Sequence, residues 1–237
     1  MNNPIFFILP IFCLLCICRT ALANECVILL HGLARTEKSM NKMADALTEE
    51  GYSVVNFSYP SRKHTIETLA ERYIPRALAR CGEHETVSFV THSLGGIVLR
   101  QYQQTREIEH LHRVVMLGPP NRGSQVVDAM RDVPGFKLLN GPAGLQLGTG
   151  PDSVPLALGP AQGEVGVIAG SRSINLILSL YLPNPDDGKV SVENTKFDGI
   201  ADHLIVHVSH PFLMKDKEVI RQTIYFLANG GFDHSAA

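Results

Sequence analysis

Six apolar runs punctuate the chain, and helical spacing fills most of the gaps between them. The runs are ECVILLHG, SVVNFSYPS, ETVSFVTH, HRVVMLGPP, GEVGVIAGS and LIVHVSH. Several are apolar at consecutive positions, so their strands are buried on both faces, as in a parallel sheet covered by helices. The first gap places Met40, Met43, Ala44 and Leu47 at helical spacing and stops at Gly51. The second puts Ile66, Leu69, Ala70, Tyr73, Ala77 and Leu78 on one face, with Pro75 expected to kink it. LGGIVLRQYQQ, a short SQVVDAM and a closing KEVIRQTIYFLAN complete the set, and the tail from Gly230 is expected to fray. Strands alternating with helices predict an α/β chain with a mostly parallel, doubly wound sheet. No linker divides residues 24–237, which read as one domain.

Two stretches break the alternation. Residues 132–162 carry repeated Gly and Pro but remain rich in apolar residues. A loop this long in a compact domain is usually functional. It reads as a short lid-like insertion, with Leu138, Leu139, Leu156 and Leu158 expected to contact substrate. INLILSLYL, in the next gap, is apolar on all sides and reads either as the lining of an acyl pocket or as a buried core helix.

Residues Ile5 to Cys18 are apolar apart from Pro10, a run too short to span a bilayer comfortably. Ala21-Leu22-Ala23 follows, so residues 1–23 read as a signal peptide and the protein as exported, periplasmic or secreted. Because MNN carries no Lys or Arg, an uncleaved anchor is the alternative. Beyond residue 23 only Cys26 and Cys81 remain, and an even count in an exported protein suggests one disulfide. With 21 Lys and Arg against 23 Asp and Glu, the chain lacks the basic excess that nucleic acid would require.

The segment SFVTHSLGGIVL sets Ser93 between a strand and a helix. A serine hydroxyl needs a base within hydrogen-bond reach, a third group to orient that base, and N–H donors for the oxyanion that forms. In an open α/β sheet these gather at the carboxyl ends of the strands. His210 follows the last strand, and Asp187 follows the fifth strand in NPDDGKVSV. Asp186, Asp198 and Asp202 compete for the acid position; His203 and His207 compete for the base. A metal site on His203, His207 and His210 is disfavoured, because residues 203 and 207 share a strand face and 210 opposes them. His31 and His92 read as turn-shaping residues. No cofactor is expected.

HGL, THSLGG, GPPNRGS, VIAGS, DDGKVSV and HPFLM, in this order, resemble the small bacterial lipases and esterases of the α/β-hydrolase superfamily. The resemblance spans nearly all of residues 24–237. It implies Ser93 as nucleophile, Asp187 as acid and His210 as base, in the chain order Ser, acid, His. Leu33 and Leu94 become the oxyanion-hole residues. Thr91 stands where the elbow pattern G-x-S-x-G has its first Gly, so room must come from elsewhere, with the neighbouring strand expected to supply it. The resemblance also makes the strands after Cys26 and Cys81 neighbours, with both cysteines at the amino-terminal edge of the sheet.

The expected activity is hydrolysis of carboxylic esters with an apolar acyl group. The expected partner is a small-molecule or lipid ester, with peripheral contact to a membrane or lipid surface left open. The alternatives are an acyltransferase or amidase with the same triad, or a non-catalytic binding protein that keeps the fold.

Overall fold

The computed structural model describes residues 25–83 and 86–236. The predicted signal peptide lies outside these residues.

The six predicted strands form: β1 (Glu25–Leu30), β2 (Ser53–Phe57), β3 (Thr86–His92), β4 (Leu111–Leu117), β5 (Glu164–Gly170) and β6 (Asp202–Val206). All neighbours pair in parallel, in the order β2-β1-β3-β4-β5-β6. Strand periodicity divides the core in two. Cys26, Ile28 and Leu30 face one cluster with Phe89, Met116 and Val167, whereas Val27 and Leu29 face another with Val90, Leu117 and Ile168. Helices α2 (Ile66–Leu78) and α3 (Leu94–Gln103) cover the first face. Helices α1 (Asn41–Glu49) and α8 (Lys217–Asn229) cover the second. Both faces are covered by helices, which explains why several strands read as continuous apolar runs. The order reverses beside β1: the chain goes out to β2 and returns to β3. The loops after β1 and β3 therefore diverge and leave a crevice at their carboxyl ends.

Three expectations change on contact with the structure. Residues 132–162 are not one irregular loop. Counting α4 (Gln125–Met130) as the short helix after β4, they hold α5 (Phe136–Leu145) and α6 (Val154–Ala157). Gly141 at φ 66° and ψ −175° breaks α5, and Pro142 starts its second piece, where a missing N–H does no harm. Ser153 caps α6 through the Leu156 amide at 3.4 Å. The glycines and prolines that read as loop are thus punctuation between short helices.

INLILSLYL is neither a core helix nor, for the most part, a pocket wall. It contributes α7 (Leu176–Ser179) at the surface, with Leu176 76% and Leu180 84% exposed. Helix α2 continues through Pro75 to Leu78; the carbonyl four residues back belongs to exposed Glu71, where solvent can serve it. The tail is tied down rather than frayed. Gly230 ends α8 in the left-handed conformation. Phe232 is buried with its ring centroid 4.8 Å from that of Phe226, and its amide donates to Asp202 Oδ2 at 2.7 Å.

Cys26 and Cys81 form a disulfide with Cα atoms 5.7 Å apart. It joins the start of β1 to the turn after α2, at the amino-terminal edge of the sheet.

Candidate active site

Ser93 occupies the step from β3 to α3 with φ 53° and ψ −120°, a conformation that costs an L-residue free energy and that surrounding packing must enforce. Its amide is held by the Leu117 carbonyl at 2.9 Å. Two glycines let the elbow close. A Cβ on Gly95 would lie 2.5 Å from the Leu30 carbonyl oxygen, so only glycine lets α3 approach β1 this closely. A Cβ on Gly96 would lie 3.1 Å from Thr91 Oγ1. Gly96, on the helix that follows, thus leaves room for Thr91.

The structure brings Ser93, His210 and Asp187 together from three separate loops. His210 Nε2 lies 3.0 Å from Ser93 Oγ, and His210 Nδ1 lies 2.7 Å from Asp187 Oδ2. With Nδ1–H donating to the carboxylate, Nε2 is free to accept from the serine hydroxyl. Asp187 is itself fixed. Its Oδ1 accepts from the amides of Lys189 at 2.9 Å and Val190 at 2.8 Å, and its carbonyl accepts from the His210 amide at 3.0 Å. The carboxylate is fully buried and the imidazole nearly so.

The competing acids and bases have other engagements. Asp186 accepts from the Gly188 amide at 2.7 Å and from Ser179 Oγ. Asp202 accepts from the amides of His203 and Phe232, both at 2.7 Å. Asp198 lines a separate cavity beside Arg100. His203 Nε2 pairs with Thr195 Oγ1 at 2.9 Å, and His207 is exposed just past the end of β6. Among the described residues, no group of three His, Cys, Asp or Glu side chains is placed to hold a metal ion.

Leu33 and Leu94 flank the elbow. Leu94 is the first residue of α3, so its N–H has no acceptor within the helix. In the turn after β1, Ala34 N–H donates to Ser61 Oγ at 3.1 Å and Arg35 N–H to the Gly32 carbonyl at 3.3 Å. Leu33 itself lines the cavity above Ser93.

His31 and His92 do more than shape turns. His31 stacks on Tyr59 with centroids 4.3 Å apart, and Tyr59 Oη donates to the His31 carbonyl at 2.5 Å. His92, completely buried, donates from Nε2 to the His210 carbonyl at 3.1 Å, and its ring sits 4.8 Å from that of His210. Burial pushes both imidazoles below the ordinary histidine range, His92 well below it, and the neighbouring His210 adds to the depression of His92. His92 thus stays neutral and anchors the backbone of the loop that carries His210. Its place immediately before Ser93 was visible in the sequence, but its reach across to residue 210 was not.

A cavity of about 390 Å³ opens on Ser93 and His210. Its walls include Leu33, Val126, Val127, Phe136, Leu147 and Ile174. Of the apolar residues expected there from 132–162, Leu138 and Leu139 stand in solvent, and Leu156 and Leu158 line the separate cavity beside Arg100. That segment reaches the cavity instead through Phe136, Asn140, Gly144 and Leu147.

No family model and no curated protein matches the sequence. Solved structures do. A lipase of Bacillus licheniformis in its mature form superposes with a TM-score of 0.67 at 19% identity, covering 85% of this chain and 91% of the lipase. A metagenomic carboxyl esterase gives 0.63 at 16% identity, over 79% of this chain and 65% of its own. An esterase from a Rhodococcus species gives 0.57 at 15% identity, over 87% and 91%. The parallel six-stranded sheet and these superpositions establish that the chain has the α/β-hydrolase fold.

Proposed function

We propose that this protein is an exported serine hydrolase that cleaves carboxylic esters with an apolar acyl group through an acyl-enzyme on Ser93. One observation carries the reading: the hydrogen-bonded relay from Ser93 Oγ to His210 Nε2 at 3.0 Å and from His210 Nδ1 to Asp187 Oδ2 at 2.7 Å.

The chemistry follows from that geometry. His210 takes the hydroxyl proton as Ser93 Oγ attacks the ester carbonyl, and Asp187 stabilises the imidazolium that results. The amides of Leu33 and Leu94 receive the oxyanion. Collapse of the tetrahedral intermediate expels the alcohol, which takes its proton from His210. Water, activated by the same imidazole, then releases the acid and restores the serine. The apolar cavity walls receive the acyl chain, and residues 132–162 act as a short lid whose inner side is Phe136, Asn140, Gly144 and Leu147. Export, with cleavage after residue 23, is supported by the Cys26–Cys81 disulfide, since such bonds persist in oxidising compartments.

Hydrolysis of an ester series of increasing chain length, in wild type and in Ser93→Ala, tests the reading. Wild type is expected to turn over the series with a length optimum that shifts in Phe136→Ala or Leu147→Ala, and Ser93→Ala to lose turnover throughout. Equal turnover by wild type and Ser93→Ala would refute it.

A further inference from the structure

Two cations at the cavity mouth have no part in the steps above. Arg35 follows the β1 turn that carries Leu33, and Lys189 follows Asp187-Gly188; both line the cavity that opens on Ser93 and His210. Among the described residues, no carboxylate lies within ion-pair distance of either Arg35 or Lys189. What sets them apart from the other unpaired Lys and Arg side chains is their place: they are the only Lys or Arg among the described residues that line this cavity.

Asp187 is the one acidic residue lining this cavity, and it is committed. Its Oδ2 takes His210 Nδ1, and its Oδ1 takes the amides of Lys189 and Val190. The formal net charge of the chain is −2, so a cationic mouth is a local arrangement and not a consequence of composition. The two cations also act on one another. Burial lowers the Lys189 pKa, Asp187 opposes the shift, and Arg35 adds to it. Set against the single Asp187 carboxylate, the two cations leave the cavity lining with a net positive formal charge, a field that an incoming anion would neutralise.

We infer that the substrate is an ester bearing an anionic group, a phosphate or a carboxylate, which Arg35 and Lys189 hold at the mouth while the apolar walls take the acyl chain. Arg35 offers the planar fork that suits either anion, and Lys189 contributes a point charge. This rests on the ester-hydrolase reading of the same site and narrows it to a substrate class.

The test compares matched esters: 1-butyrylglycerol with 1-butyrylglycerol 3-phosphate for an anion on the alcohol side, and methyl butyrate with monomethyl glutarate for an anion on the acyl side. Inorganic phosphate, added as a competitor, separates recognition of a headgroup from capture of the free ion. In wild type at low salt, kcat/KM for at least one anionic ester is expected to exceed its neutral partner by about tenfold, with the advantage shrinking as salt screens the field. In Arg35→Gln and Lys189→Gln the anionic-to-neutral ratio should fall, and in the double variant it should approach one. Melting temperatures of all three variants check that they remain folded. Turnover of the neutral esters with no anionic advantage, or a ratio unmoved in the folded double variant, overturns this inference and leaves the hydrolase reading standing. Strong competition by inorganic phosphate with no preference between matched esters also overturns it, because the mouth would then be a free-anion site. Failure to cleave any of the four, together with failure across the chain-length series, removes both.

Discussion

The two edges of the sheet are built on opposite principles. At the amino-terminal edge, polar groups are matched and the chain is cross-linked. Ser88 Oγ donates to Glu25 and accepts from the Arg113 amide at 3.1 Å; the Arg113 guanidinium bonds Glu164 at 2.8 Å and the Leu227 carbonyl at 2.6 Å. The disulfide closes the same edge beside β1. At the carboxyl-terminal edge the backbone of Ser93 is held at φ 53°, two cations lack carboxylate partners, and a cavity stands open. A cross-link and matched polar groups thus mark the edge where no chemistry is proposed, and a strained serine and an open cavity mark the edge where it is. The comparison teaches that substitutions at the two edges should separate: activity without stability at one, stability without activity at the other.

The largest expected effect is at the carboxyl edge. Ser93→Ala and His210→Ala should each lower kcat by about 10⁴–10⁶, roughly 5–8 kcal/mol of barrier, with little change in melting temperature. Asp187→Asn should cost less than either, though still about 10⁴, because it disturbs the imidazole tautomer rather than removing a reacting atom. Near-normal activity in Asp187→Asn, with collapse in Asp198→Asn or Asp202→Asn, would move the acid elsewhere.

Next comes the amino edge. Reducing Cys26–Cys81 opens a loop whose ends are 55 residues apart. In the chain-entropy account that is worth about 4 kcal/mol, and measured losses usually fall below it. Thermal unfolding with and without reductant should show the drop, while ester preference of the protein that remains folded stays the same. A large shift in preference on reduction would mean that the edges are coupled.

A smaller effect belongs to the buried imidazoles under the elbow. Burial holds the folded pKa of His31 and His92 below the ordinary value of 6.5. The unfolded chain therefore binds protons that the folded chain refuses. The resulting contribution to stability is complete above about pH 6.5 and is lost as pH falls below it toward the folded values, by up to ~1.4 kcal/mol per pH unit for each group. Urea titrations between pH 7.5 and 5 should record that slope, and His92→Asn should flatten it.

The smallest effect probes the strain itself. Ser93→Gly should be more stable than Ser93→Ala by about 1 kcal/mol, because glycine adopts φ 53°, ψ −120° readily and alanine does not. Equal stability of the two variants would show that the elbow stores no appreciable strain.

Legibility in the sequence followed the same division. The strands could be read because both faces of the sheet are covered, which leaves continuous apolar runs such as ECVILL and VVML. Ser93, Asp187 and His210 could be picked out because each follows a strand, and parallel strands deliver their carboxyl ends to one edge. Distances remained out of reach. Nothing local to His92 indicates that its Nε2 meets the carbonyl of residue 210, 118 positions away. Composition misled where burial depends on tertiary placement. INLILSLYL is as apolar as a core strand, yet α7 lies at the surface with Leu176 and Ile177 in solvent. The tail after Gly230 is expected to fray, but buried Phe232 and the contacts of Asp233 with Arg221 and Gln222 dock it on α8.

The central claim is that the carboxyl edge activates Ser93, and reaction with a fluorophosphonate probe tests it most directly. The purified protein should be labelled at a single site, mapped by peptide mass spectrometry to Ser93. Labelling should disappear in Ser93→Ala and slow strongly in His210→Ala, while both variants melt as the wild type does. A folded wild-type protein that resists the probe, or that carries the label on another serine, would contradict the account.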